Sequence, residues 1–203
     1  SIAQKEFPLL IKACATVGAR QIQNRATLGG NIANASPSGD TFPSLAVYEA
    51  KIHAAASQGK RVIAFSQFFT GVKKTSLGPS ELIESIEIPL LARRPTRQLF
   101  RKVGTRAAQA ISKTVAAGLL WLDKEGRVQE VRFALGSMAP TVRRLRQAES
   151  FLAGKKLTPN IVGQACELLE KDVSPIDDIR STARYRLHVS QNLLRLFLGA
   201  CPT

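Results

Sequence analysis

A change of sequence period at Pro140 constrains this chain more than any other feature. Before it, short apolar runs at residues 81–88, 99–104, 111–122 and 128–135 are each bounded by turn chemistry, with Asp123-Lys124-Glu125-Gly126 separating the last two. Short strands joined this way pair as an antiparallel sheet. After it, apolar residues recur at helical spacing over 142–152, 159–171 and 183–198. Thr158-Pro159 gives the second of these a cap and a proline at its first helical position. The expectation is an α+β chain whose last part packs three strands against three helices.

Upstream, Phe7, Leu10, Ile11 and Cys14 recur at helical spacing, with Gly18 placed to stop that helix. Residues 20–40 read mostly as loop with one short helical turn, and 42–50 as a short helix with Thr41 as its N-cap. Residues 51–56 and 61–65 read as a hairpin about Ser57-Gln58-Gly59-Lys60, and Gly71, Gly78 and Pro79 mark a loop. With 203 residues there is room for two modest domains, and the 89–95 linker divides the chain into 1–92 and 93–203.

Within the first part, residues 27–40 run Thr-Leu-Gly-Gly-Asn-Ile-Ala-Asn-Ala-Ser-Pro-Ser-Gly-Asp. Gly29 and Gly30 lack a Cβ, so positive φ is open to them and a ligand can approach their N–H groups closely. Successive N–H groups pointing one way form a concavity suited to a diphosphate. Thr27, Asn31, Asn34, Ser36 and Ser38 add neutral donors, and Asp40 can accept from sugar or ribityl hydroxyls. The pattern suits a nucleotide with a polyol arm better than a metal or a nucleophile.

A formal charge of +14 calls for an explanation. A basic surface facing solvent or a partner subunit accounts for it. With 6% aromatic residues, no basic–aromatic interleaving and no zinc-finger spacing, nucleic acid gains no support. No apolar run is long enough to cross a membrane. Cys14, Cys166 and Cys201 are widely spaced and odd in number, which argues against a disulfide framework or a metal cluster held by this chain and for a reducing, cytoplasmic setting. The chain opens on Ser1 and leads almost directly into a helical pattern, as a piece of a longer polypeptide would.

With these residues in view, the chain resembles the flavin-binding portion of the molybdenum hydroxylases, the xanthine dehydrogenase family, and within it the bacterial small FAD-carrying subunit. The matching stretches are 20–31, 35–40, Phe68-Phe69-Thr70-Gly71 with Lys73-Lys74-Thr75, 81–89, Phe100-Arg101-Lys102-Val103-Gly104, 134–141 and 175–186, all in order. The resemblance implies that Thr27, Gly29, Gly30 and Asn31 lie against the FAD phosphates and neighbouring sugar, and Asn34 and Ser36 along the cofactor. It implies that Asp40 accepts hydroxyl hydrogen bonds, that Leu82 and Ile83 pack near a flat ring end, and that Lys102 sits at the polar edge of the isoalloxazine.

The resemblance further implies an electron path. Substrate is oxidised at a molybdopterin on another chain, iron–sulfur clusters on another chain or domain relay electrons to FAD, and NAD or another acceptor removes them. The implied partners are the molybdopterin-binding subunit and the iron–sulfur domain or subunit, in a hetero-oligomer. One departure stands out. The family's first FAD subdomain, with a loop of the form G-G-G-T-x-L, has no counterpart here, so the chain corresponds to the second FAD subdomain plus the C-terminal domain. That departure supports an alternative from another class, an interaction module that keeps the fold but holds no FAD.

Other candidates read as structural. His53 and His188 have no hydroxyl or thiol partner at triad spacing. The arginines at 143, 144, 146, 180, 184 and 186 read as a solvated or partner-facing surface, and Asp178 as a partner of Arg180 or a cap for the last helix.

Overall fold

The computed structural model describes residues 2–199; Cys201 lies outside them. The first part carries short helices α1 (Ile2–Glu6), α2 (Pro8–Cys14), α3 (Arg20–Gln23), α4 (Leu28–Ala33) and α5 (Phe42–Val47). Then come strands β1 (Lys51–Ala56) and β2 (Gly59–Ala64), helix α6 (Phe65–Phe68), and strands β3 (Phe69–Gly71), β4 (Lys74–Thr75) and β5 (Leu82–Glu87). The second part holds β6 (Arg97–Val103), β7 (Thr114–Leu122), β8 (Val128–Gly136), β9 (Arg143–Arg144), and helices α7 (Arg146–Leu152), α8 (Pro159–Asp172) and α9 (Ala183–Leu198). The mixture is α+β, as the sequence predicts.

Two antiparallel sheets run in the orders β2-β1-β5 and β6-β7-β8-β9, beside a small β3-β4 hairpin. Strand β7 lies at the centre, and its side chains alternate between two cores. Ala116 and Leu120 face a cluster with Phe133, Leu135, Val162, Leu194 and Phe197, covered by α7, α8 and α9. Ala117, Leu119 and Trp121 face the opposite cluster with Leu45, Val47, Tyr48 and Ile52, brought by the first part. A strand buried on both faces reads as a continuous apolar run, and residues 114–121 do. The layer between the two parts is therefore packed core, and each fully buried Leu, Ile or Phe there contributes roughly 1.5–3 kcal/mol.

Thr158 caps α8 as the sequence predicts, accepting from the Ile161 N–H. At α9 the cap is Thr182, which accepts from the Tyr185 N–H, rather than Asp178, and the helix ends on Gly199 at φ 89°. At four other places the structure departs from expectation. Residues 20–40 hold two short helices, and Gly29 and Gly30 lie inside α4; neither has a positive φ. The expected glycine nest is thus a turn of right-handed helix, because Thr27 caps it through Gly30 N–H at 3.0 Å. Thr41 stands at the N-cap position of α5 as expected but makes no side-chain cap, since its hydroxyl donates to Asn31 Oδ1 at 2.6 Å. The first hairpin turns more tightly than expected, on Ser57 and Gln58, with Ala56 paired to Gly59.

The fourth departure concerns the second part. Arg143 and Arg144 form a short strand ahead of α7, so a fourth strand joins the expected three, and the face of that sheet away from α7, α8 and α9 packs on the first part, α5 foremost. Arg144 and Arg186 leave the solvated surface assigned to them. The Arg144 side chain, 8% exposed, pairs with an equally buried Glu149 at 2.6 Å. Arg186 is only 3% exposed, since the sheet and the 175–181 segment close over it.

Candidate functional site

Two cavities adjoin where Ile22 borders both. The smaller, about 630 Å³, is lined by Cys14, Thr27, Gly30, Asn31, Asn34 and Thr41 among others. The larger, about 920 Å³, lies between the two parts of the chain: Ser36, Pro37, Asp40 and Lys73 face Ile111, Ser137, Arg180 and Arg186. The predicted residues are thereby divided. Thr27, Gly30, Asn31 and Asn34 line the smaller cavity, Ser36 and Asp40 the larger, and Gly29, Leu82, Ile83 and Lys102 neither.

Helix α4 positions the first group. Asn31 Oδ1 accepts from Thr41, and Asn34 Oδ1 accepts from Lys73 Nζ at 2.9 Å, so each amide offers its NH₂ group to a ligand. Gly29 is open on its side: a Cβ there would meet only Ile83 Cγ2, at 3.9 Å. That contact puts α4 beside strand β5. Leu82 is 75% exposed on β5, while Ile83 packs into the core, so the expected aliphatic pair splits into one outward and one inward residue. Arg61 and the Gly78 N–H hold Glu81, at the start of this strand, down to about 2.

Asp40 and Lys102 meet. Lys102 Nζ donates to Asp40 Oδ2 at 2.6 Å and to the Thr16 carbonyl at 2.9 Å, and Ser112 Oγ donates to Asp40 Oδ1 at 2.5 Å. The pair ties the segment after α4 to strand β6 and to the loop before β7. Cys14 is no activated nucleophile, because burial pushes its thiol up. Among the described residues no group of His, Cys, Asp or Glu is arranged to hold a metal ion, and no helix is long and apolar enough to cross a membrane.

Several residues of the larger cavity escaped the sequence reading. Lys73, Gln109 and Ser137 all hold positive φ (56°, 52° and 63°) and all line it. Strained non-glycine residues gather where surrounding structure fixes them, commonly at functional sites. Ser112 and Arg186 were missed as well. For Arg186 and Ser137 a signal existed, since both fall in the matching stretches 175–186 and 134–141.

Family models match the chain along nearly its whole length. Residues 1–91 match the FAD binding domain in molybdopterin dehydrogenase. Residues 99–201 match the CO dehydrogenase flavoprotein C-terminal domain. The chain belongs to the FAD-binding subunits of the molybdenum hydroxylase family. Among its relatives, the xanthine dehydrogenase FAD-binding subunit of Escherichia coli O157:H7 is 31% identical over 195 residues, spanning 96% of this chain and 66% of that protein. The carbon monoxide dehydrogenase medium chain of Hydrogenophaga pseudoflava is 29% identical over 203 residues, spanning 98% of this chain and 68% of its own length. A solved structure of carbon monoxide dehydrogenase from Hydrogenophaga pseudoflava, lacking the Mo-pyranopterin moiety of its cofactor, superposes with a TM-score of 0.90 at 28% identity, covering 98% of this chain and 69% of that one.

The chain thus spans about two thirds of the length of the curated relatives it matches. Its residues suit the cofactor for which the family is named: an uncovered glycine on α4, two amides turned donor, and an exposed leucine on the adjoining strand.

Proposed function

We propose that this chain is the cofactor-holding component of a molybdenum hydroxylase, with FAD laid along α4. Thr27, Gly29, Gly30 and Asn31 would hold the diphosphate and its sugar, Asn34 and Ser36 the neighbouring length, and the outward Leu82, backed by the inward Ile83, an apolar ring end. Asp40 and Lys102 would act together, the lysine fixing the orientation of the carboxylate toward ribityl hydroxyls. When bound, FAD supplies the two-electron redox chemistry, and this chain supplies position, exclusion of water and electrostatics. The observation that carries the reading is the row of Thr27, Gly30, Asn31 and Asn34 along one cavity, which shares Ile22 with the cavity lined by Ser36 and Asp40.

The larger cavity is proposed as the entrance for the electron acceptor, NAD or another carrier. Its lining carries Lys73, Arg180 and Arg186 against Asp40 and Asp178, and this small cationic excess suits a phosphate-bearing molecule. Electrons would come from iron–sulfur clusters and a molybdopterin on other chains or domains, within a cytoplasmic hetero-oligomer. The purified chain, titrated with FAD, should quench flavin fluorescence saturably. Titration with riboflavin, which lacks the diphosphate, should give much weaker quenching. Equal responses to both would remove the diphosphate assignment. A colourless assembled complex would instead select an interaction module that keeps the fold without FAD.

A further inference from the structure

Arg186 stands on the first turn of α9, yet its guanidinium reaches across to three other segments. Nη1 donates to the Lys113 carbonyl at 2.6 Å and to the Ser137 carbonyl at 3.2 Å, and Nη2 donates to Asp178 Oδ1 at 2.8 Å. Each of the first two contacts continues toward the cofactor side. Lys113 follows Ser112, whose hydroxyl donates to Asp40. Ser137 donates its N–H to the Pro37 carbonyl at 3.0 Å. The result is a closed circuit, Asp40 to Ser112 and Lys113, through Arg186 to Ser137, and back through Pro37. It borders the larger cavity, which Asp40, Pro37, Ser137 and Arg186 all line.

The same circuit accounts for the backbone strain at Ser137. Its φ of 63° is unusual for a residue with a side chain. Here the N–H is anchored to one part of the chain and the carbonyl to a residue of the last helix. Holding several acceptors at fixed angles needs a planar fork of donors, which arginine has and lysine lacks.

We propose that Arg186 is a positioning residue for the flavin site: from the last helix it clamps the 36–40 segment and the 104–113 loop on opposite walls of the cavity. The C-terminal helices then govern how firmly Asp40 is presented to the cofactor. This rests on the FAD reading above, and the test separates the two.

Amide hydrogen exchange is measured on the full chain and on Arg186→Met, Arg186→Lys and Asp178→Asn, each also titrated with FAD. In Arg186→Met, amides of 36–40, 104–113 and Ser137 should exchange about tenfold faster, while those of Ile52 and Ala54 on β1 keep their rates. Arg186→Lys should be intermediate, and Asp178→Asn mildest. FAD affinity should fall in the same order, by about tenfold for the methionine variant. If Arg186→Met does not fold, the lysine and asparagine variants carry the comparison. Unchanged exchange at 36–40, acceleration spread evenly to β1, or FAD affinity equal across a series that binds it overturns the clamp. A wild-type chain that binds no FAD removes the FAD reading instead, and the exchange pattern then decides the clamp alone.

Discussion

Lys102 Nζ lies 2.6 Å from Asp40 Oδ2, and their side chains are only 12% and 10% exposed. The pair joins strand β6 of the second part to the segment that follows α4 in the first. Breaking such a pair from one side strands a charge away from water, at about 3 kcal/mol or more. Lys102→Met should therefore lower the urea midpoint markedly, and adding Asp40→Asn to it should restore part of the loss. A double variant no more stable than the single would show that the two residues are not coupled.

Gly29 and Gly30 separate stability from binding. A methyl group at Gly29 meets only Ile83 Cγ2 at 3.9 Å. Replacing a helical glycine by alanine also gains roughly 0.5–1 kcal/mol, so Gly29→Ala should melt at the same temperature or higher while losing FAD affinity. At Gly30 a Cβ comes within 3.0 Å of Thr27 Oγ1, the cap of α4. Gly30→Trp should thus lose both the cap and flavin retention. Differential scanning fluorimetry beside flavin titration reads both quantities, and undiminished affinity in Gly29→Ala counts against the loop assignment.

Asp178 sets a pH window. Partial burial pushes its carboxyl up, but the Arg180 and Ser181 N–H groups and the Arg186 guanidinium outweigh that and bring it from 3.8 to about 2. A folded value below the unfolded one stabilises fully above the unfolded value, roughly 3.9, and the gain fades as pH falls through the folded one. Asp178→Asn should lower the melting temperature equally at about pH 7 and about pH 5. The two proteins should converge as pH approaches about 2. A gap that widens on acidification has the wrong sign.

Gly118 marks how closely β7 is sandwiched. A Cβ there would fall 2.7 Å from Phe133 Cδ2 and 2.8 Å from Phe197 Cζ, both buried rings. Gly118→Ala should cost about 1–3 kcal/mol through overpacking, read as a lower urea midpoint at an unchanged slope. A neutral result would mean that α9 can shift away from the sheet without loss.

What the sequence determined by itself is local and periodic. The continuous apolar run of β7, the Thr158 cap and the strand-then-helix order follow from side-chain spacing and from hydrogen bonds within a few residues. The ordered motifs also carried the family. Tertiary structure alone decided which side chains meet. Asp40 and Ser112 are 72 positions apart, Lys102 and Thr16 86, and Arg186 and Lys113 73. No local pattern encodes such pairs, because they form only when the first part packs on one face of β7 and the C-terminal helices on the other. Packing also turned Arg144, against Glu149 and the Ala46 carbonyl, and Arg186, within the second part, from surface charges into buried anchors, since an arginine stays in water unless the fold brings it acceptors. In residues 27–34 the local contest was closer: glycines permit positive φ, but the Thr27 hydroxyl and the packing of Ile32 into the core selected helix.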